Sequence, residues 1–325
     1  MRDNEPHVWT PAEVPDLSGR TVAVTGASRG IGAATAEHLA RHGAHVIALG
    51  PPCPSRTEAR TAAARAADAG RVDHVECDLA RPDQVRAAAE RITGLAAGRL
   101  DVLVNNAGVA AAGPAPSPDG HDMHFAVNHL GHFALTGHLL PALLNAPEPR
   151  VVNVSSLLHR LGRDPARRAH APGGRLRWPA YCDSKLANLL FTRGLLDWAH
   201  AHGLPLRAVA AHPGLVNTTL GSGALRADGH HAQARLLEWA QARWHTPARA
   251  AWTLVRAATD PDVTGGEFFG PGGRWEWSGS PVRVRAARRA CDPRAAERLW
   301  RLSQRITAYP FPSAPERPTP RAGAR

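Results

Sequence analysis

The stretch Thr21-Val-Ala-Val-Thr-Gly-Ala-Ser-Arg-Gly-Ile-Gly32 decides the fold that this sequence predicts. Its first five residues form a short apolar, β-branched run, which is typical of a buried strand. Ile31 and Leu39 then fall at helical spacing within residues 31–42, and Gly43 is suited to end that helix. A glycine-rich turn between a strand and a helix lets the backbone approach a pyrophosphate group that faces the helix N-terminus. The stretch therefore predicts a dinucleotide-binding βα unit.

The alternation of strand and helix patterns continues along most of the chain. Apolar runs that predict strands lie at 45–49, 72–76, 100–104, 150–154, 206–211 and 266–269. Helical patterns lie at 83–92, 127–144, 180–200, 246–258 and 293–306. Strands that alternate with helices imply parallel βαβ units. The sequence therefore predicts an α/β fold with a single Rossmann-type, doubly wound parallel sheet of about seven strands and helices on both faces.

The boundaries of this domain follow from composition. Residues 1–16 contain prolines and no periodicity, so we expect an N-terminal arm. Residues 17–309 are expected to form one Rossmann-fold domain, with an insertion at 157–179 and a substrate lid at about 219–245. The Pro-, Arg- and Ala-rich residues 310–325 predict a disordered tail.

Composition and charge exclude several classes of protein. No apolar run reaches the about 18 residues of a membrane span, and residues 1–20 lack the apolar core of a signal peptide. We therefore expect a soluble, cytoplasmic protein with no membrane partner. The four cysteines are scattered without a CxxC pair, which predicts reduced thiols and no metal site. The net charge of +11 comes from arginines interleaved with acidic residues, without a basic and aromatic platform, so no nucleic-acid partner is expected.

A second informative stretch is Tyr181-Cys-Asp-Ser-Lys185. Lys185 is the only lysine in a chain with 39 lysine and arginine residues, so it is expected to do something that arginine cannot. On a helix, this spacing places the tyrosine hydroxyl and the ammonium group on one face. A cation about 4–5 Å from a tyrosine lowers its pKa from about 10 and suits it to general acid/base chemistry. A surface helix that carries two polar residues would also explain the spacing alone.

Several motifs share one order along the chain, and in that order they resemble the short-chain dehydrogenase/reductases. The resemblance covers residues of about 20 to 270, and its motifs are Thr25–Gly32, Asp78, Asn105-Asn-Ala-Gly108, Asn128, Ser156, Tyr181-x-x-x-Lys185 and Pro213-Gly214-x-Val216-x-Thr218. The sequence is most similar to the retinol-dehydrogenase-like branch of this superfamily. The features of that branch are Val151–Ser156, Ala180–Asn188, His212-Pro-Gly214 and the long separation between Ser156 and Tyr181.

The resemblance implies a role for four residues in catalysis. Tyr181 would give a proton to the carbonyl oxygen during reduction or take it during oxidation. Lys185 would lower the pKa of that tyrosine and hold the nicotinamide ribose, and Ser156 would orient the substrate oxygen. Asn128 would anchor a water molecule that links Lys185 to solvent. Simpler interpretations remain open, since Ser156 could cap the end of a strand and Asn128 could be a satisfied buried amide.

The resemblance also implies a set of cofactor contacts. They are Gly26, Ser28, Arg29, Gly30, Ile31, Gly32, Asp78, Leu79, Asn105, Ala107, Gly108, Tyr181, Lys185, Pro213, Gly214, Val216 and Thr218. NADP(H) is favoured over NAD(H), because the second strand ends without a carboxylate and Arg29 is placed to meet a 2′-phosphate. Arg56 could add to that contact. Pro51 stands where the related branch usually has an arginine.

Three segments of the sequence indicate the class of substrate. Residues 109–124, 157–179 and 219–245 are expected to form an apolar pocket for a bulky ketone, aldehyde or secondary alcohol. The apolar residues that support this expectation are Trp178, Leu215, Leu220, Leu225, Trp239 and Trp244. These residues could equally pack a lid onto the sheet. The resemblance also makes a homodimer possible, because the helices that contain Asn128 and Tyr181 commonly form a dimer interface in that family.

Two other functions remain open beside an oxidoreductase. One is net non-redox chemistry (cyclisation, epimerisation or dehydration) with bound nucleotide, in the secondary metabolism of a high-GC bacterium suggested by the Arg- and Ala-rich composition. The other is a non-catalytic dinucleotide sensor, which the presence of both Tyr181 and Lys185 disfavours.

Overall fold

A sheet of eight strands organises the described part of the chain. The structure is a computed structural model, and it describes residues 8–51, 70–110, 116–168, 177–217, 244–309 and 311–312. The strands are β1 (Thr21–Thr25), β2 (His45–Gly50), β3 (Arg71–Glu76), β4 (Val102–Asn105), β5 (Arg150–Val154), β6 (Arg207–Ala211), β7 (Phe268–Pro271) and β8 (Pro281–Arg283). Their order is β3-β2-β1-β4-β5-β6-β7-β8. All neighbouring strands are parallel except β7 and β8.

Helices cover both faces of this sheet. They are α1 (Gly30–Arg41), α2 (Pro82–Leu95), α3 (Gly131–Leu144), α4 (Arg177–Ala201), α5 (Pro247–Thr259) and α6 (Pro293–Thr307). One face packs against α1 and α5, and the other packs against α2, α3 and α4. The α/β, doubly wound fold that the sequence predicted is therefore confirmed.

The central strands are mostly apolar because they are buried on both faces. All five residues of β5 and all four of β4 are buried, as expected of parallel strands between two helical layers. The sequence predicted about seven strands. The additional strand, β8, is a three-residue antiparallel edge strand, too short to show a periodic pattern.

The strand order indicates which edge of the sheet binds a ligand. The chain runs outward from β1 to β2 and β3, and then returns to β4 on the other side of β1. Ligands of doubly wound sheets bind beyond the carboxyl ends of the strands at such a reversal of order. The glycine turn after β1 and the segments after β4, β5 and β6 all meet at this edge.

The described ends of the chain pack onto the domain. Trp9 is buried against the layer that contains α1 and α5, so the expected N-terminal arm contributes to the core. Phe311 is only 3% exposed, and the indole of Trp198 donates a hydrogen bond to the carbonyl of Pro312 at 2.9 Å. These two residues of the predicted tail therefore pack onto the domain, because an aromatic side chain is buried there. Residues 313–325 lie outside the described residues.

Helix α6 covers the outer faces of α3 and α4. Trp300 packs edge-on against Phe133 with ring centroids 5.2 Å apart, and it also lies against Phe191 and Phe311. A Cβ atom at Gly194 would lie 2.9 Å from the Trp300 ring, so the two helices approach closely. The outer faces of α3 and α4, which were considered for a homodimer interface, thus pack against aromatic residues of the same chain.

The described part of the chain contains neither a candidate membrane span nor a candidate metal site. None of its helices is long and apolar enough to cross a membrane. In the same part of the chain, no group of three or more His, Cys, Asp or Glu side chains is arranged to hold a metal ion.

Candidate active site

A cavity of about 1080 Å³ opens at the carboxyl edge of the sheet. Most of the residues implied by the resemblance line it: Gly26, Ser28, Arg29, Gly30, Ile31, Gly32, Asp78, Leu79, Ala107, Gly108, Ser156, Tyr181, Lys185, Pro213, Gly214 and Val216. Asn105 and Asn128 lie behind its wall, and Thr218 lies outside the described residues. This volume lies slightly above the about 300–1,000 Å³ that is usual for ligand pockets.

The glycine turn after β1 provides a cradle for a phosphate group. Gly26 has a φ of +67°, and a Cβ atom there would lie 2.7 Å from the Cα atom of Ala107. A side chain at this position would therefore be strained and would push the next wall of the cavity away. A Cβ atom at Gly30, where α1 begins, would meet no atom within 4 Å among the described residues. The helix N-terminus is thus open to an anionic group, which fits the pyrophosphate of a dinucleotide.

The segment after β4 forms the next wall. The hydroxyl oxygen of Thr25 accepts hydrogen bonds from the backbone N–H groups of Asn106 and Ala107, both at 2.9 Å. The side chain of Asn105 points inward and donates to Thr136 and Asn153. Asn106 and Ala107 line the cavity instead, and Asn106 was not among the predicted contacts. Asn105 is buried because it is the last residue of the buried strand β4.

The four residues implied in catalysis come from three elements. Tyr181 and Lys185 lie on α4, Ser156 follows β5, and Asn128 precedes α3. The Lys185 Nζ atom is 5.7 Å from the centroid of the Tyr181 ring, and Ser156 makes a side-chain hydrogen bond with Tyr181. The structure therefore brings the hydroxyls of Tyr181 and Ser156 together on the cavity wall beside the ammonium group.

Lys185 is almost completely enclosed. The residue is 4% exposed, and its Nζ atom donates a hydrogen bond to the carbonyl of Val154 at 3.2 Å. Asn188 donates to the same carbonyl at 2.9 Å. Burial disfavours the charged form and lowers the pKa of Lys185 to about 8. The ammonium group is therefore held at one place against the end of β5.

The pKa of Tyr181 departs from the sequence-based expectation. Lys185 was expected to lower this pKa, but burial raises the pKa of Tyr181 to about 12. The hydrogen bond with Ser156 opposes the rise only in part. Desolvation of the phenolate dominates, while the Lys185 Nζ atom lies over the ring, 5.7 Å from its centroid, and bonds the carbonyl of Val154. Tyr181 therefore carries its proton at neutral pH, which suits a proton donor.

The side chain of Asn128 is fully used in hydrogen bonds. Its Oδ1 atom accepts from the N–H of Val109 at 2.8 Å, and its Nδ2 atom donates to the carbonyl of Val109 at 3.0 Å. Nδ2 also donates to the hydroxyl of Ser184 at 2.9 Å. The carboxamide thus clamps the end of the wall segment, as a satisfied buried amide does, and it lies next to the site.

The segment after β6 rests on a turn that the sequence did not predict. The carbonyl of Trp277 accepts a hydrogen bond from the N–H of Leu215 at 2.9 Å. His212 bonds Glu276 at 3.0 Å, and Arg160 pairs with the same carboxylate at 2.6 Å. Trp275 and Glu276 both have positive φ values, which few non-glycine residues adopt. No local pattern in the sequence marks this support for the cavity wall.

Large apolar side chains line the cavity as well. Apolar side chains that line it are Val109, Met123, Val127, Leu157, Leu158, Trp178, Leu215 and Trp244. The ring of Trp178 meets that of Tyr181 edge-on, with centroids 6.2 Å apart. Leu157 and Leu158 fall within the predicted pocket segment 157–179, whereas Val127 lies outside every segment that the sequence predicted for the pocket. The predicted pocket residues Leu220, Leu225 and Trp239 lie outside the described residues.

Comparisons with known proteins agree with this geometry. A family model described as short chain dehydrogenase matches residues 20–228. Retinol dehydrogenase 14 of Mus musculus is 35% identical over 303 residues, which cover 89% of this chain and 86% of that protein. Polyprenol dehydrogenase of Mus musculus is 35% identical over 308 residues, covering 92% of this chain and 87% of that protein.

Solved structures share the fold. An uncharacterized protein from Mycobacterium paratuberculosis superposes with a TM-score of 0.73 at 38% identity, covering 94% of this chain and 100% of that chain. An active-site complex with NADP from Pseudomonas aeruginosa has a TM-score of 0.59 at 27% identity, covering 78% and 94% of the two chains.

Proposed function

The chain belongs to the short-chain dehydrogenase/reductase family, as a member of its retinol-dehydrogenase-like branch, and from this premise we propose a reaction for it. It transfers a hydride between NADP(H) and a bulky, mostly apolar ketone, aldehyde or secondary alcohol. One observation carries the proposal: Tyr181, Ser156 and Lys185 line the same cavity as an open glycine turn and a set of large apolar side chains.

Each wall of the cavity would bind a different part of the dinucleotide. The turn of residues 26–32 would bind the pyrophosphate, and Asp78 would hold the adenine amino group. Lys185 would hold the nicotinamide ribose, and residues 213–216 would lie against the carboxamide together with Thr218. When bound, the nicotinamide supplies or accepts the hydride.

The protonation states of the residues support carbonyl reduction. With a pKa raised to about 12, Tyr181 holds a proton at neutral pH and can donate it to a carbonyl oxygen. Ser156 bonds the Tyr181 hydroxyl and would orient the substrate oxygen beside it. Lys185 is charged below its pKa of about 8 and would stabilise the tyrosinate that remains after proton transfer.

The test of the proposal is NADPH consumption by the purified protein with a panel of bulky and small ketones and aldehydes. We expect turnover that is faster for the bulky apolar members. NADPH binding without consumption on any carbonyl would contradict hydride transfer. A product isomeric with its substrate would then support the non-redox alternative of cyclisation or epimerisation.

Arg29 is expected to decide the preference for NADP(H). It is exposed at the N-cap of α1 and lines the cavity, and β2 ends at Gly50 without a carboxylate. The Arg29→Ala variant should bind NADPH about 10- to 100-fold more weakly, because a charge-assisted hydrogen bond contributes about 1.5–3 kcal/mol. Its affinity for NADH should change little, and fluorescence titration measures both.

A matched control for this variant lies on the same helix. Arg41 pairs with Glu37 at 2.7 Å at the far end of α1, so Arg41→Ala should leave both affinities unchanged. An equal loss of NADPH and NADH affinity in Arg29→Ala would show that the arginine does not read the 2′-phosphate.

Trp178 is expected to select bulky substrates. This large apolar side chain lines the cavity and is 50% exposed, one helical turn before Tyr181. Fully burying a large apolar side chain gains about 1.5–3 kcal/mol, so covering the exposed half of Trp178 gains about half of that. Trp178→Ala should therefore raise KM for bulky apolar carbonyls by about 3- to 10-fold. KM for a small ketone should stay the same.

The control for this prediction is Trp275→Ala. Trp275 is 64% exposed and is not part of the cavity wall, so its loss should not alter the ratio of KM values for bulky and small substrates. If Trp178→Ala changes both KM values equally, the residue does not discriminate by size.

A further inference from the structure

The wall segment of residues 105–109 is anchored at both ends by side chains from other elements. At its start, the Thr25 hydroxyl accepts the N–H groups of Asn106 and Ala107, both at 2.9 Å. At its end, the Asn128 carboxamide bonds both the N–H and the carbonyl of Val109, at 2.8 and 3.0 Å. The position of the wall therefore depends on the distance between Thr25 and Asn128.

The imidazole of His132 joins these two anchors. Its Nε2 atom lies 2.8 Å from the hydroxyl oxygen of Thr25, and its Nδ1 atom lies 3.0 Å from the backbone carbonyl oxygen of Asn128. His132 is 1% exposed and does not line the cavity. The ring thus spans from the glycine turn to the start of α3 through the interior of the protein.

The direction of each hydrogen bond follows from chemistry. A carbonyl oxygen only accepts, so Nδ1 of His132 carries a proton and donates it to Asn128. Burial lowers the pKa of His132 to about 4, so the ring is neutral and Nε2 is an acceptor. Thr25 then donates its hydroxyl proton to Nε2 while its oxygen accepts two N–H groups. Every polar atom of the bridge has a defined partner.

The His132 bridge meets the backbone at Asn128, where the helix is irregular. Residues Ala126–Leu130 form a π-helical turn, in which the N–H of Gly131 bonds the carbonyl of Ala126. Such a turn shifts the regular hydrogen-bond ladder of a helix and is common at functional sites. The ring N–H of His132 supplies a side-chain donor to the Asn128 carbonyl at this shifted place.

We propose that His132 is a positioning residue that braces the wall segment between the glycine turn and Lys185. Gly108 lies in the middle of this segment, and a Cβ atom there would be 3.3 Å from both the Asn128 Oδ1 and the Lys185 Nζ atoms. A shift of the wall would therefore change the space around the ammonium group. The consequence for catalysis rests on the proposed function, but the brace itself does not.

Hydrogen exchange of the protein without cofactor tests the brace directly. In His132→Phe, Thr25 keeps only the carbonyl of Val104 at 3.4 Å as an acceptor, and the Asn128 carbonyl loses its ring donor. Backbone amides of residues 105–109 should exchange about 10-fold faster or more than in the wild type. The same exchange rate as in the wild type would overturn the proposal.

The neighbouring His129 gives a matched control. It lies in the π-helical turn and is as buried as His132, but its Nε2 atom bonds the hydroxyl of Ser303 at 2.7 Å, away from the wall. His129→Phe should lower the melting temperature without faster exchange in residues 105–109. If both variants speed this exchange alike, His132 is only a structural residue and the proposal fails.

A second measurement separates this inference from the proposed function. NADPH should bind about 10-fold more weakly to His132→Phe than to His129→Phe, and kcat should fall. Thr25→Val added to His132→Phe should have less effect than Thr25→Val alone, because both changes break one bridge. If the losses of NADPH affinity in the two single variants add in the double variant, Thr25 and His132 do not form one bridge and the proposal fails. A wild-type protein that binds no NADPH would contradict the proposed function, and hydrogen exchange of residues 105–109 would then decide the role of His132.

Discussion

Replacing Tyr181 with phenylalanine is expected to lower kcat for carbonyl reduction by about 100- to 10,000-fold, the usual contribution of a general acid. The change removes the hydroxyl that holds the proton and bonds Ser156. It keeps the ring, which packs edge-on against Trp178 and His124, so the cavity should keep its shape. The NADPH dissociation constant should change little. Single-turnover kinetics and fluorescence titration measure the two quantities separately.

The second tyrosine of the chain is a matched control for this prediction. Tyr309 donates its hydroxyl to the carbonyl of Gly137 at 2.6 Å, far from the cavity wall. Tyr309→Phe should reduce the free energy of unfolding by about 1 kcal/mol and leave kcat unchanged. If Tyr181→Phe reduces carbonyls at the wild-type rate, the proton comes from another group and Tyr181 serves only as a cavity wall.

The fold was predictable because its signals are local. Residues 21–32 combine a β-branched run, a glycine turn and a helical pattern, and the structure forms β1 and α1 there. Residues 150–154 were predicted as a strand and form β5 with the same bounds. The π-helical turn Ala126–Leu130 was not predicted, because its sequence carries an ordinary helical pattern without glycine or proline. Asn128 and His132 contact residues there that are distant in sequence, and a local pattern does not encode such contacts.

The candidate site was predictable in its members but not in its electrostatics. The motifs named Tyr181, Lys185 and Ser156, and the structure brings these three together at the cavity. Spacing on one helix suggested that the lysine lowers the tyrosine pKa. The opposite direction results from burial by surrounding elements, which no local spacing encodes. Supports such as Glu276 beneath the segment after β6 were missed for the same reason, since their partners are distant in sequence.

The presence of a single lysine in this arginine-rich chain leads to the second large effect. Lys185→Arg keeps the positive charge but is expected to lower kcat/KM by about 100-fold or more, because the two side chains differ in shape and hydration. The Nζ atom is enclosed between the carbonyl of Val154 at 3.2 Å and the backbone of Gly108. A planar guanidinium group does not fit that space without moving the wall, and overpacking costs about 1–3 kcal/mol. Steady-state kinetics with NADPH and a bulky ketone measure the loss.

The comparison of pH profiles decides whether shape or charge is the requirement. Burial lowers the pKa of Lys185 to about 8, so wild-type activity should decline as the pH rises through that value and the ammonium group loses its charge. An arginine stays charged throughout. If charge alone were needed, Lys185→Arg would remain active and its alkaline decline would disappear, which would contradict the prediction.

Arg193→Lys is the matched control, because Arg193 lies on the outer face of the same helix and pairs with Asp197 at 2.7 Å. That reciprocal exchange should leave kcat/KM and the pH profile unchanged, so inactivity confined to Lys185→Arg would show that the enclosed site requires the smaller cation.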